Sequence, residues 1–111
     1  MLKVPEKVPE PGFYYHYKHN GSGELNNYAY EVMGTGYHTE DDCRPEDKNM
    51  VVYRPIYESS VYTAGRFLDI RPLEMFLESV VKDGVTIPRF RKITDPEVIT
   101  ELIKIRNKMY S

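Results

Sequence analysis

The chain has 111 residues, 41% of them hydrophobic and 29% charged, with 15 Lys and Arg set against 17 Asp and Glu. That composition supports one domain with a real core and excludes a disordered tail. A net charge of −2 disfavours a dedicated nucleic-acid binder, and no apolar run approaches the roughly 20 residues of a membrane span.

Residues 1–11 repeat Lys-Val-Pro-Glu twice, at Lys3–Glu6 and Lys7–Glu10, ahead of Pro11 and Gly12. Each proline fixes φ and pushes its predecessor towards extended geometry, so a stiff leader is predicted. Met1–Glu6 lacks the apolar core of a signal peptide, and Cys43 is the only cysteine; the expected location is cytosolic. Phe13–Lys18 alternates, which predicts a strand with Phe13, Tyr15 and Tyr17 on an apolar face and Tyr14, His16 and Lys18 on a polar one. Asn20–Gly23 reads as a turn and Tyr28–Met33 as a second aromatic strand. Gly34-Thr35-Gly36 predicts a bend or bulge before an extended Tyr37–Glu40. Asp41–Asn49 is a charged loop. A third strand starts at Met50 and runs to Tyr53 or Tyr57, with Pro55 suggesting an edge or a bulge.

Ser59–Arg66 reads as a loose stretch leading into Phe67–Arg71. Pro72 then opens a short helical turn, because proline suits a first helical position. Asp83-Gly84, between Ser79–Lys82 and Val85–Phe90, is a hairpin signal. Thr94 and Glu97 have capping-box spacing around Pro96. Beyond them Val98, Leu102, Ile105 and Met109 form one helical stripe, widened by Ile99 and Ile103. This stripe needs a partner, either the preceding sheet or a second copy of the chain. The elements together predict a mainly β fold. A strongly bent sheet or barrel of short strands fills residues 12–93, behind the 1–11 leader, and an amphipathic helix occupies 94–111. Ten of the fourteen Tyr and Phe residues lie between Phe13 and Tyr62, as a half-buried pleated surface favours.

The order of short motifs along this region resembles the small bacterial family catalogued as domain of unknown function 1653. The matching residues begin with Gly12, Tyr14, His16, Tyr17 and Lys18, then Tyr30, Val32, His38 and Glu40. Val51, Val52, Tyr53, Tyr57, Arg71, Pro72, Met75, Phe76 and Glu78 follow, with Gly84, Pro88, Arg89 and Phe90 last. His19 stands where the family usually has glycine, an insertion follows at Asn20–Asn27, and Asp69 replaces a usual aromatic before Arg-Pro. The resemblance implies a compact SH3-like barrel and no established activity, since fold does not carry function with it.

His38-Thr39-Glu40 in a strand would point both ends to one face, and His16 from a neighbouring strand would complete a facial metal triad. The alternative is a structural network in which the imidazoles bond backbone or Glu40. Arg71 and Arg89 adjoin Pro72 and Pro88, whose rigidity positions them as forks for a carboxylate or phosphate. With Lys18 and Arg54 they would form an anion pocket; the competing reading pairs them with Glu31, Glu40, Glu74 or Glu78. Tyr53, Tyr57 and Phe90 line either a groove or the core. Cys43 sits among carboxylates, a poor setting for a nucleophilic thiolate.

The leading expectation is a non-catalytic binding module without cofactor or resident metal. Its ligand-facing set is His16, Lys18, His38, Glu40, Tyr53, Arg71 and Arg89, and its ligand an anionic small molecule or a peptide segment. The alternatives are a small metal-dependent enzyme using His16, His38 and Glu40, and a structural domain that dimerises through its C-terminal helix.

Overall fold

The computed structural model describes residues 7–58 and 68–110. Strands β1 (Gly12–His16), β2 (Ala29–Tyr37) and β3 (Asn49–Pro55) are followed by β4 (Asp69–Pro72) and the short helix α1 (Leu73–Leu77). Hairpin strands β5 (Ser79–Lys82) and β6 (Val85–Pro88), then β7 (Phe90–Lys92) and helix α2 (Pro96–Met109), complete the chain. Met1–Glu6 and Ser59–Phe67, on which the leader repeat, the loose stretch and the approach to β4 partly fall, lie outside the described residues. No helix among the described residues is long and apolar enough to cross a membrane.

All pairings are antiparallel. One five-stranded sheet has the order β4-β3-β2-β1-β7, and β5 and β6 form a second sheet of two strands. The fold is mainly β with one C-terminal helix, and the hydrogen-bonded ladder is open rather than a closed barrel. Its edges approach through side chains: Phe76 of α1, just after β4, stacks on Phe90 of β7 at 4.2 Å.

The glycine-rich bend is a bulge inside β2, where the register with β3 shifts between Val32 and Gly34. The strand stops at Tyr37, so His38–Glu40 is irregular rather than extended. Pro55 belongs to a central strand, yet it occupies the last position, beyond the reach of the β4 ladder, where its missing N–H costs nothing. Asp83 and Gly84 both take positive φ, 52° and 77°, the geometry that a two-residue hairpin turn requires. The predicted strand through Phe90 is divided: the chain leaves the small sheet at Pro88 and enters the large one at Phe90.

Alternation in β1 is real, but its faces are not apolar and polar. Phe13 and Tyr14 are both about equally buried, because a helix covers each side. One core joins Tyr14, Tyr30, Val32, Val51, Tyr53 and Phe90 to Leu73 and Phe76 of α1. The other joins Phe13, Ala29, Ile56 and Ile93 to Leu102, with Val98, Ile99, Ile103 and Ile105 packed around it. The α2 stripe therefore lies on the sheet that precedes it. Asp95 rather than Thr94 caps the helix: its Oδ1 accepts from the Glu97 N–H at 3.0 Å, with Pro96 next in line.

An ion triad pins α2 down. Glu31 of β2 accepts from Arg54 of β3 at 2.8 Å and from Arg106 of α2 at 2.9 Å, all three largely shielded. Arg54 also lies 4.1 Å from the Tyr110 ring, and the Tyr110 hydroxyl donates to the Pro55 carbonyl. Glu31→Ala strands two guanidinium groups beside the apolar layer and is expected to cost about 3 kcal/mol. Urea denaturation measures it; a loss within the error of the method would mean that solvent already screens the triad.

Candidate functional site

The β1 ladder carries His16 to the rim of the α1-side core, directly opposite Phe90. The imidazole meets Phe90 edge-on at 5.1 Å and lies near Tyr28 at 5.8 Å. Its Nδ1 accepts the Lys18 N–H at 3.2 Å, which leaves the proton of the neutral ring on Nε2. Burial, then the charges of Arg71, Arg89 and Lys18, push its pKa down from 6.5 to about 4. His16 is therefore neutral at neutral pH and sits beside three cations, of which Arg89 is paired with Glu78.

Arg71 is the centre of that group. β4 places it beside β3, where its Nε donates to the buried Tyr53 hydroxyl at 3.1 Å. Its guanidinium carbon lies 5.7 Å from the Phe90 ring. Phe90 itself packs against Tyr30, Tyr53 and Phe76. The side chain is thus fixed by one hydrogen bond and one aromatic floor, and it makes no ion pair with a carboxylate among the described residues. An open cleft of about 410 Å³ lies here, lined by Tyr30, Tyr53, Asp69, Ile70, Arg71 and Met75 among others. Asp69, where the related pattern usually has an aromatic, brings one acid to this wall.

Arg89 is engaged differently. It pairs with Glu78 across the neck of the β5–β6 hairpin, where its backbone N–H also donates to the Glu78 carbonyl at 3.0 Å. Its guanidinium and the Lys18 ammonium each lie 6.0 Å from the Tyr17 ring, and its buried Nε has no hydrogen-bond acceptor among the described residues. Arg54 lies on the opposite face in the Glu31 triad, so the four-cation pocket does not form; Lys18, Arg71 and Arg89 remain together around His16.

His38 and Glu40 belong elsewhere. His16 bonds the Tyr28 carbonyl at the start of β2, whereas His38 follows its far end. Nine extended residues intervene, roughly 30 Å of strand. The His38 Nδ1 accepts from the Glu40 N–H at 3.1 Å, a local contact within one irregular turn. The triad of His16, His38 and Glu40 therefore does not assemble, and no group of three or more His, Cys, Asp or Glu able to hold a metal occurs among the described residues.

Phe90 belongs to the core, whereas Tyr53 is buried in the core and also lines the cleft, and together they position Arg71. Sequence reasoning passed over Tyr30 and Met75 as wall residues. Tyr30 lies in a strand pattern and Met75 in the helical turn after Pro72, and only the tertiary fold brings both to one arginine.

A family model described as protein of unknown function (DUF1653) matches residues 12–92. The chain is also similar to a crystal structure of a protein belonging to DUF1653 from Bordetella bronchiseptica, at 26% identity and a TM-score of 0.56. That likeness covers 76% of this chain and 86% of the other. No curated protein matches the chain.

Proposed function

The chain belongs to the DUF1653 family, whose description assigns no activity, and from that premise we propose that it is a non-catalytic binding module for an anionic ligand. The ligand presents a carboxylate or phosphate, carried by a small molecule or a peptide segment, to Arg71 in the cleft beside Tyr53. One observation carries this reading: Arg71 is oriented by Tyr53 and Phe90 yet has no carboxylate partner among the described residues. A half-buried guanidinium that is held in place but not neutralised is a ready fork for an oxyanion. Lys18 and Arg89 add to the same field, and apolar Ile70 and Met75 offer contact to the body of the ligand. The setting proposed is the cytosol, to which a lone cysteine is suited.

Titration with inorganic phosphate and with succinate, read by calorimetry and by the His16 ring protons, tests this. Binding places a negative charge near His16 and raises its pKa from about 4. The sign for stability follows. Between the usual 6.5 and the folded value, the unfolded chain takes up a proton that folded His16 declines, so stability falls as pH drops through that window. Bound anion is expected to soften that fall. Arg71→Ala is expected to weaken binding about tenfold or more, the loss of one charge-assisted contact. No binding by either anion, or equal binding by the variant, would refute the site.

A further inference from the structure

A second cleft, of about 230 Å³, lies between the large sheet and the β5–β6 hairpin, lined chiefly by Tyr15, His19, Lys82, Ile87, Pro88 and Arg91. His16 and Tyr17 also border it, on the side towards the first cleft, whereas Tyr53, Arg71 and Met75, which line the first cleft, do not. Its polar groups come from both sheets: Lys82 from β5, Arg91 from β7, and His19 from the turn after β1. No carboxylate lines it. Asp95, whose charge reaches Tyr15 along with that of Arg91, is already bonded to the Glu97 N–H at the start of α2.

Two of these groups are held in place. The Lys82 ammonium donates to the Tyr17 carbonyl at 3.0 Å and keeps two further N–H groups. His19 stacks on Tyr15 at 3.5 Å, and its Nδ1 bonds the Asn27 carbonyl at 2.6 Å. A carbonyl only accepts, so Nδ1 carries the proton and Nε2 of the neutral ring is left as an acceptor for a hydroxyl. Arg91 has no ion-pair partner among the described residues and pairs in register with Tyr15.

We propose that this cleft is a second anion site, for a phosphate monoester of about sugar size that clamps the hairpin onto the large sheet. A phosphate dianion matches two full cations, Lys82 and Arg91, and a ligand hydroxyl matches His19. The space exceeds the roughly 150 Å³ that holds a benzene ring, which admits a phosphate with a short polyol. The clamp follows from topology. A two-stranded hairpin is marginal by itself, and this one is tied to the body at the Glu78–Arg89 neck and by Lys82. A dianion that bridges Lys82 to Arg91 adds a tie between the two sheets.

The test is an amide NMR titration of the full chain with glycerol phosphate, with glycerol alone as control, followed by hydrogen exchange. Expected are shifts at His19, Lys82 and Arg91. At ten times the dissociation constant, exchange across the β5–β6 ladder is expected to slow about tenfold. Followed at the His19, Lys82 and Arg91 amides, binding should be weakened about tenfold or more by each of the exposed substitutions Lys82→Gln and Arg91→Gln, while occupancy of the Arg71 cleft by the same phosphate is followed at Arg71 itself. Shifts that glycerol reproduces, that persist in both variants, or that Arg71→Ala abolishes would overturn the proposal, as would an absence of binding. The Arg71 site stands or falls separately, by its own variant.

Discussion

Phe90→Ala is expected to lower the free energy of unfolding by about 3–5 kcal/mol, the range for deleting a large aromatic from a packed interior. Phe90 is 7% exposed, and its ring meets four others, stacked on Phe76 and edge-on to His16, Tyr30 and Tyr53. It is also the residue through which β7 touches α1, joining the two edges of the open sheet. Truncation opens a cavity between those edges, and relaxation can fill it only by moving a helix of five residues or the whole of β7. The same change removes the floor beneath Arg71, so anion affinity is expected to fall along with stability. Phe90→Leu separates the effects: it keeps most of the volume, and its stability loss is expected to be smaller, while the cation–π contact is gone. Urea denaturation and phosphate titration on both variants give the answer. A Phe90→Ala protein as stable as the parent would show that the edges are not joined there.

Leu102→Asp is the second large effect, expected to exceed about 4 kcal/mol because a carboxylate enters an apolar layer that offers it no partner. Leu102 is fully buried, against Phe13, Ala29, Ile56 and Ile93. Leu102→Ala keeps the layer apolar and is expected to cost about 2–5 kcal/mol, by lost contact and a residual cavity. Circular dichroism and denaturation measure both. Should the Asp variant unfold entirely, the Ala variant still gives a value. A Leu102→Ala protein of unchanged stability would mean that α2 does not rest on the sheet. Sedimentation of the parent chain addresses the separate expectation of a dimer through this helix, since the stripe that would form it is engaged within the chain.

Much of the architecture is legible in short stretches of sequence. Asp83-Gly84 fixes its hairpin because the turn needs positive φ at two successive positions, a demand met by those residues themselves. The α2 stripe and the Pro72-led α1 are equally local. The cap falls one residue after the predicted Thr94 because Thr94 and Asp95 are both competent caps, and Pro96 decides for the residue directly before it. The spatial grouping of the candidate residues was legible in part: His16, Lys18, Arg71 and Arg89 lie together, whereas His38 and Glu40 lie apart from them.

What the sequence determined by itself, then, is the type and order of most elements, since turn chemistry and hydrophobic period act between residues a few positions apart. What only the tertiary structure decided is which faces are covered and which distant groups meet. Two-sided burial of β1 depends on helices more than fifty residues downstream. Arg54 and Arg71 are alike as residues, yet one pairs with Glu31, which Arg106 shares, while the other is held between Tyr53 and Phe90 with no ion pair among the described residues. That difference is one of strand register and sheet face, set when the whole sheet curls and its helices dock.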